Sequence, residues 1–152
     1  MRWDSHKQES ADYHKAYNVI HKYETSARKK IYTKINKISI NIRHQKRKAM
    51  KRGLLHTLTM GQWTKMKNDF NNKCAYCGEV KPLTQDHLFP LFLGGEYTTS
   101  NIIPACTSCN CSKGPKLLDD WYPNQPYYDK AKEHKILSYL GYKNNIQQLS
   151  FM

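Results

Sequence analysis

The feature that most constrains this chain is a pair of Cys-x-x-Cys motifs. The first pair is Cys74 and Cys77, and the second pair is Cys106 and Cys109. Two residues between cysteines let both thiolates turn towards one small cation, and two such pairs complete the tetrahedral four-sulfur shell that zinc prefers. The alternative, four unrelated buried thiols, leaves the paired spacing unexplained. The four cysteines are therefore the predicted ligands of a structural zinc ion.

The remaining cysteine and the polarity of the chain indicate the cellular compartment of the protein. The total of five cysteines is odd, which favours metal thiolates in a reducing compartment over a disulfide framework. Cys111 is the spare thiol, and it is either a small buried side chain or a competitor of Cys109 for the metal. The mean hydropathy is −0.83, and the first residues contain no apolar core. These features predict no signal peptide, no membrane partner and a cytoplasmic location.

The charge of the chain points to a polyanionic partner. The 152 residues carry 25 Lys and Arg against 12 Asp and Glu, a net charge of +13. Such an excess favours binding to a phosphate backbone, although simple solubility is the alternative. Residues 22–52 contain twelve of these basic side chains and a single acid, Glu24. The twelve are Lys22, Arg28, Lys29, Lys30, Lys34, Lys37, Arg43, Lys46, Arg47, Lys48, Lys51 and Arg52. The clustering favours the nucleic-acid interpretation.

The same basic segment has a helical pattern. We predict a helix over residues 10–52, as one rod or as two segments that meet near Thr25 and Ser26, with Ser10 as N-cap and Gly53 just beyond the end. Apolar residues recur at alternating spacings of four and three: Tyr13, Tyr17, Ile20, Ile31, Ile35, Ile38 and Ile42. Such a stripe packs on the host domain or on a partner helix, and its spacing permits a homodimer.

Further helices are predicted on either side of the cysteine motifs. A helix from Met60 to Asn71 should begin with a Thr59–Gln62 capping box. Its apolar face should pack against the zinc module through Trp63, Met66 and Phe70. Residues 72–121 show mostly turn chemistry, with Gly94–Gly95 as a turn, an extended run over 101–104 and a short helix after Asn110. A last helix is expected from Tyr127 to Leu140, ending before Gly141.

The run from Cys74 to Trp121 carries a family resemblance. It reads Cys-x-x-Cys, then Asp-His-x-x-Pro, Gly-Gly, Asn-Ile-x-Pro-Ala-Cys-x-x-Cys-Asn-x-Ser-Lys-Gly and finally Lys-Leu-Leu-Asp-Asp-Trp. This pattern resembles the HNH endonucleases of the zinc-stapled ββα-metal type, which are common in phages, mobile elements and some restriction systems. The resemblance implies an α+β fold: a small ββα-metal core with a four-cysteine structural zinc, preceded by a basic helical extension and followed by a C-terminal helix. The expected domains are a basic extension over 1–58, the HNH nuclease domain over 59–122 and a helical tail over 123–152.

The resemblance also implies a role for each motif residue. His87 corresponds to the general base that takes a proton from the attacking water, since a neutral imidazole suits this task near pH 7. Asp86 and Asn110 correspond to the ligands of a catalytic divalent cation, Mg²⁺ or Mn²⁺. Asn101 is expected to brace the loop that bears the histidine. Lys113 is expected to reach a phosphate and to offset negative charge in the transition state.

Taken together, the sequence predicts a divalent-metal-dependent HNH endonuclease that hydrolyses double-stranded DNA, leaving 5′-phosphate and 3′-hydroxyl ends. The expected setting is the cytoplasm of a bacterium or a phage-infected host cell. One alternative is a catalytically inactive zinc-bound nucleic-acid-binding module, which the charge and the cysteines alone would fit equally well. Another is an RNA-directed nuclease or a nicking component of a larger phage machine. The combination of Asp86, His87 and Asn110 favours the enzyme, because a binding module needs none of them.

Overall fold

The computed structural model describes residues 2–142, which divide into two compact units, Met1–Ile40 and Asn41–Met152. The first unit contains the helix α1, Arg2–Ile35, and the first residues of α2, Lys37–Met50. Asn36 separates the two helices, but helical hydrogen bonds still pass through it: its amide donates to Tyr32 O at 2.9 Å, and its carbonyl accepts from Ile40 N at 2.9 Å. The break between the predicted segments is therefore at Asn36.

The predicted start of this helix was wrong, and of the two alternatives for its course, the one with a break near Thr25 and Ser26 was wrong. Ser10 is not an N-cap, because α1 already begins at Arg2 and continues through it, in a stretch without glycine or proline. The helix also continues through Thr25, whose hydroxyl donates to His21 O at 2.6 Å and so bonds back to its own helix. The apolar stripe is exposed at every member except Ile42, so packing within the described chain is found only at Ile42.

The end of α2 agrees with the prediction. Gly53 has a φ of +68°, a left-handed conformation that favours glycine. Gly53 N donates to Met50 O at 3.0 Å, and Leu54 N donates to Ala49 O at 3.0 Å. These two bonds form a Schellman motif that satisfies the last carbonyls of the helix. The chain therefore leaves α2 in a fixed direction.

The second unit continues with α3, which spans Met60–Asp69 and carries the predicted capping box. Gln62 N donates to Thr59 Oγ1 at 3.2 Å, and Thr59 N donates to Gln62 Oε1 at 2.8 Å. The apolar face of α3 is divided between two cores. Phe70 packs in a first core with three of the motif cysteines, whereas Trp63 and Met66 pack in a second core with α2. The prediction that the whole face packs on the cysteine module was therefore only partly right.

A two-stranded antiparallel sheet and a short helix follow. Strand β1 spans Leu83–His87, β2 spans Ile102–Cys106, and α4 spans Thr107–Lys113. The pairing places His87 opposite Ile102 and Leu83 opposite Cys106. The helix begins three residues before Asn110 rather than after it, so Asn110 lies within the helix. This arrangement is the small ββα core of the predicted α+β fold.

The loop between the strands turns at Gly94 and Gly95, as predicted. Gly94 has a φ of +99°, and a Cβ atom on Gly95 would lie 1.9 Å from the carbonyl oxygen of Phe89. Only glycine fits such a close approach to the backbone. A short 3-10 helix, Leu91–Leu93, leads into this turn. The loop is thus folded back onto the residues that directly follow β1.

The C-terminal part of the described chain completes the first core. Helix α5 spans Leu118–Trp121 and a 3-10 turn spans Tyr122–Asn124. Helix α6 spans Lys130–Tyr139, and it starts later than predicted because the Asp129 carboxylate caps it by accepting from Ala131 N at 2.8 Å. In the part of the chain that the structure describes, no helix combines the length and the apolar character that a membrane span needs.

Candidate active site

The four motif cysteines converge on one point. Their Sγ atoms all lie within 4.8 Å of one another, and those of Cys77 and Cys106 are 4.0 Å apart. A tetrahedral zinc site with Zn–S bonds of about 2.3 Å separates its sulfur atoms by about 3.8 Å, so the group has the size that zinc requires. The spare thiol, Cys111, is exposed and lies outside this group. The structure therefore brings together the four cysteines that the sequence predicts as metal ligands.

The surroundings of the sulfur atoms also suit a metal site. Cys106 N donates to Cys74 Sγ at 3.2 Å, and Cys109 Sγ lies 3.3 Å from the Tyr127 hydroxyl oxygen. Burial raises the pKa of the Cys74 thiol and that of the Cys109 thiol. A bound cation is what would hold such buried thiols as thiolates. A zinc ion here would join the turn of the first pair to the start of α4.

Asp86 lies at the end of β1 and is buried, with 4% of its surface exposed. Its Oδ2 atom accepts a hydrogen bond of 2.6 Å from the Tyr76 hydroxyl and lies 3.5 Å from Lys113 Nζ. Burial raises the pKa of the Asp86 carboxyl, while the positive charge of Lys113 and the bond from Tyr76 act in the opposite direction. The carboxyl group is thus held on one side by two partners.

His87 follows directly and is half-buried. Burial lowers the pKa of its imidazole to about 4, and the positive charges of Lys113 and Lys48 act in the same direction. Its Nε2 atom is buried and has no hydrogen-bond partner within residues 2–142. A ring nitrogen without an acceptor cannot stabilise the imidazolium, so both observations favour a neutral imidazole at pH 7.

Asn101, at the residue before β2, closes the loop that follows His87. Its Oδ1 atom accepts from Phe89 N at 2.8 Å, and its Nδ2 atom donates to Phe89 O at 3.0 Å and to Glu96 O at 2.9 Å. Its backbone carbonyl accepts from Leu88 N at 2.8 Å. The amide is therefore bonded on both sides to backbone, and it fixes the chain directly after His87.

Asn110 projects from α4 towards β1. Its Nδ2 atom donates to Thr84 Oγ1 at 3.0 Å and to Gln85 O at 3.1 Å. These bonds hold the amide group against the strand that carries Asp86 and use its nitrogen rather than its oxygen. Asn110 is therefore 24 residues from Asp86 in the sequence, but both residues line the same cleft.

Lys113 is placed differently from the prediction. Its side chain is 0% exposed, and its Nζ atom donates to His87 O at 2.7 Å. Burial lowers the pKa of the Lys113 ammonium, and the neighbouring Asp86 carboxylate opposes that shift. An ammonium that is enclosed and already bonded does not reach a phosphate from this position. Its location instead makes it a support for the backbone of His87.

These elements surround a cleft with a volume of about 460 Å³. The cleft is lined by predicted site residues from β1 and α4 and by polar residues of α2 and of the turn after it: Asp86, His87, Asn110, Gln45, Lys48 and Arg52. Asn101 and Lys113 do not line the cleft. Their side chains form hydrogen bonds with the backbone of Phe89 and His87, respectively. The structure therefore places three predicted residues at the cleft and two in supporting positions.

Some residues of the site were not found by sequence reasoning. The Tyr76 hydroxyl bonds Asp86, yet Tyr76 is only the third residue of a Cys-x-x-Cys pair and has no motif of its own. The ring of Tyr97 lies 5.8 Å from that of His87, and its hydroxyl donates to Gln85 Oε1 at 2.8 Å. Lys48 and Arg52 were visible only as two of many basic residues in one segment. Only the packing of α2 distinguishes Lys48 and Arg52 from the other basic residues of this segment.

The comparison with known proteins agrees with this geometry. Residues 74–121 match the family model described as HNH endonuclease. The match begins at Cys74, ends at Trp121 and includes both cysteine pairs, the Asp86–His87 pair and Asn110. This segment of the chain is therefore similar to the HNH endonucleases, and the resemblance predicted from its motifs is confirmed.

A curated relative extends the similarity beyond that segment. The chain is 38% identical over 120 residues to a protein of Bacillus subtilis (strain 168) named "SPbeta prophage-derived putative HNH endonuclease YoqL". The aligned region covers 66% of this chain and 49% of the relative. The chain thus spans about half the length of the curated relative that it matches. The match supports a nuclease activity of the HNH type.

Proposed function

We propose that this chain is a divalent-metal-dependent endonuclease that hydrolyses phosphodiester bonds of double-stranded DNA. The observation that carries the proposal is the single cleft in which Asp86, His87 and Asn110 meet basic side chains of α2. A carboxylate, an imidazole and an amide oxygen are the groups that such a hydrolysis needs. The positive charge along the cleft suits a phosphate backbone.

In this proposal His87 is the general base. Its neutral imidazole takes a proton from a water molecule, whose oxygen then attacks phosphorus as the bond to the 3′ oxygen breaks. A water molecule returns a proton to the departing oxygen, which gives a 3′-hydroxyl and a 5′-phosphate end. The low pKa of the imidazole keeps the ring unprotonated before the reaction. The bonds of Lys113 to His87 O and of Asn101 to Phe89 N hold the backbone at and directly after the ring.

The donor set at the cleft fits a hard divalent cation. The hydrogen bond from Tyr76 engages Asp86 Oδ2, and Asn110 donates to Thr84 and Gln85 through its Nδ2. Each side chain also has a second atom, Oδ1, which takes no part in these bonds and is of the oxygen type that Mg²⁺ or Mn²⁺ prefers as a ligand. When bound, that cation would polarise the phosphate and shield the charge on the leaving oxygen.

The proposed zinc has a structural role. Cys74, Cys77, Cys106 and Cys109 would form a closed shell of four sulfur ligands, which leaves no open position for substrate. The second pair lies at the end of β2 and the start of α4, and Cys109 is directly before Asn110 and four residues before Lys113. Zinc binding would therefore fix the helix that carries Asn110 relative to the strand that carries Asp86.

The basic segment over residues 22–52, apart from Lys48 and Arg52 at the cleft, supplies the proposed contacts to DNA outside the cleft. Binding through lysine and arginine releases counterions, so the affinity should fall steeply as the salt concentration rises. Domain limits of 1–58, 59–122 and 123–152 and a homodimer formed by the helical extension remain part of the proposal. One such site cuts one strand, so a double-strand break needs a dimer or two successive events.

The decisive experiment is a plasmid cleavage assay with zinc-loaded protein in Mg²⁺, Mn²⁺ or EDTA. His87→Ala should reduce the cleavage rate by at least about 100-fold, because general-base catalysis contributes about 10²–10⁴. Its zinc content and DNA affinity should match those of the wild type. The control is His134→Ala, which removes an exposed histidine from α6 and should cleave normally.

Two outcomes would count against this function. If His87→Ala cleaves at the wild-type rate, the proposed mechanism is wrong. If the wild type binds DNA in a salt-sensitive manner but cleaves with neither metal, the zinc-bound binding module becomes the better interpretation.

A further inference from the structure

The wall of the cleft opposite β1 and α4 is formed by one face of α2 and the turn after it. Gln45, Lys48 and Arg52 line the cleft and follow one another at spacings of three and four. Residues at these spacings share a helix face. The cleft is therefore closed on this side by an amide and two cations that come from outside the segment 74–121 that matches the HNH family.

Packing fixes which face of α2 is turned towards the cleft. Ile42 and Ala49 are buried in the second core with Leu58, Trp63 and Ile102. Ile102 pairs with His87 across the sheet, so the strand residue beneath α2 is the one opposite the proposed base. Rotating the helix to move its cations away from the cleft would expose these apolar side chains, which is unfavourable.

The turn after α2 is also held in place, which matters for Arg52. The Schellman bonds at Gly53 and Leu54 fix the last turn, and Leu54 packs against the second core. Tyr97 N donates to Leu55 O at 2.9 Å, and Leu58 N donates to Tyr97 O at 3.2 Å. The chain that follows Arg52 is thus bound to the loop between β1 and β2, close to the ring of His87.

The charge in the cleft favours an anion. Lys113, the cation that the motif supplies, is enclosed and paired with Asp86, so its ammonium group is not available to bind a ligand. Lys48 and Arg52 are exposed and line the cleft. The positive charge of Lys48 is near enough to His87 to contribute to the lowered pKa of its imidazole. The open charges at the cleft are therefore mainly positive, and they face the proposed base.

We infer that Lys48 and Arg52 bind the phosphate group that is cut, and that α2 thereby completes the active site of the HNH core. The inference rests on the proposed function and assigns the charge-stabilising role to these two residues instead of Lys113. An arginine guanidinium can hold two phosphate oxygens at once, and a lysine adds a point charge. Both would stabilise the charge that grows on those oxygens as the bond to the 3′ oxygen breaks.

The first test measures single-turnover cleavage at saturating DNA together with the DNA dissociation constant. Lys48→Ala and Arg52→Ala should each slow saturated cleavage by about 100-fold, the usual loss when one charge-stabilising group is removed. Lys51→Ala removes the same charge from a neighbouring residue that does not line the cleft, and it should slow saturated cleavage far less than Lys48→Ala does. Lys130→Ala, an exposed lysine at the start of α6, is the control for an unrelated charge and should behave as wild type.

The second test does not depend on cleavage. The probe is thymidylyl-(3′→5′)-thymidine, which contains a single phosphodiester, titrated into the full chain and followed by the NMR amide signals of Asp86, His87 and Asn110. The wild type and Lys51→Ala should show equal binding. Lys48→Ala and Arg52→Ala should bind about tenfold more weakly, the loss that corresponds to about 1.4 kcal/mol.

The two tests separate the possible failures. A wild type that binds the dinucleoside through Lys48 and Arg52 but cuts no DNA would refute the endonuclease, while it would confirm that these two residues bind a phosphodiester at the cleft. A wild type that cuts DNA, with Lys48→Ala and Arg52→Ala matching Lys51→Ala in both tests, would overturn the inference and leave the endonuclease standing. Equal dinucleoside binding by all four proteins would overturn it as well.

Discussion

Replacing Lys113 with methionine should strongly destabilise the fold, even though the sequence motif that contains Lys113 predicts a role at the phosphate. The Lys113 ammonium is fully buried, donates to His87 O at 2.7 Å and lies 3.5 Å from Asp86 Oδ2. Its loss leaves a buried carboxylate with the Tyr76 hydroxyl as its remaining side-chain partner, and breaking a buried pair costs about 3–5 kcal/mol. Since 1 kcal/mol lowers Tm by about 2–4 °C in a domain of this size, the expected fall is about 6–20 °C.

The assay is thermal unfolding of the zinc-loaded protein, followed by circular dichroism, with Lys116→Met as the matched control. Lys116 is an exposed lysine three residues further along the chain, so the control should change Tm by little. Combining Lys113→Met with Asp86→Asn should recover part of the loss, because it removes the uncompensated charge. The resulting coupling free energy should exceed about 1 kcal/mol, as expected for two groups in contact.

A different result would refute this reasoning. If Lys113→Met keeps the Tm of Lys116→Met but loses DNA affinity and cleavage, the ammonium binds phosphate directly. In that case the buried arrangement would not be the one that acts on DNA.

Two further predictions concern the zinc group and the contact between α3 and α6. Cys77→Ser should lose the bound zinc and unfold at a lower temperature, whereas Cys111→Ser should keep the zinc and the wild-type Tm. Metal analysis and thermal unfolding measure these two properties. Zinc loss in Cys111→Ser would contradict the assignment of the four zinc ligands. Asp69 accepts from Lys65 Nζ at 2.7 Å and from the Tyr139 hydroxyl at 2.9 Å, and these bonds lower the pKa of its carboxyl. The ionised Asp69 carboxylate should therefore stabilise the fold fully above its unfolded-state pKa, and this stabilisation should disappear as the pH falls through the lower folded-state pKa. The Tm difference between wild type and Asp69→Asn should accordingly shrink from about pH 6 to about pH 3. A difference that is independent of pH would refute it.

Local chemistry in the sequence was enough to predict several elements of the fold. The Thr59–Gln62 capping box and the left-handed Gly53 both depend on residues within a few positions of one another, and both are present. Each cysteine pair is also a local feature, since its spacing alone brings the two sulfur atoms together. The later start of α6 was missed because the Asp129 cap competes with the apolar pattern that begins at Tyr127.

The roles of the basic residues could not be predicted in this way. Twelve lysines and arginines occupy residues 22–52, and helical periodicity shows which of them share a face but not which face meets the cleft. That choice depends on Ile42 and Ala49, which pack on residues some 50 positions away in the chain, such as Ile102. The burial of Lys113 is equally non-local, because it results from the pairing of α4 with the end of β1.

The supporting residues of the site share one physical task. Asn110 donates to Gln85 O, Lys113 donates to His87 O, and Asn101 bonds both the N–H and the carbonyl of Phe89. Their partners are backbone groups on either side of the Asp86–His87 pair. A sheet of only two strands is weakly stable by itself, and β1 has β2 as its one neighbour in the sheet.

Side chains from α4 and from Asn101, the residue before β2, therefore support this strand end as a third strand does in a larger sheet. They satisfy backbone groups that would otherwise be free to move, and they fix the direction in which the imidazole leaves the chain. On this argument Asn101 and Lys113 are needed because of the smallness of the ββα core. With Lys113 enclosed, our proposal assigns substrate binding to Lys48 of α2 and to Arg52 of the turn after it, which line the cleft.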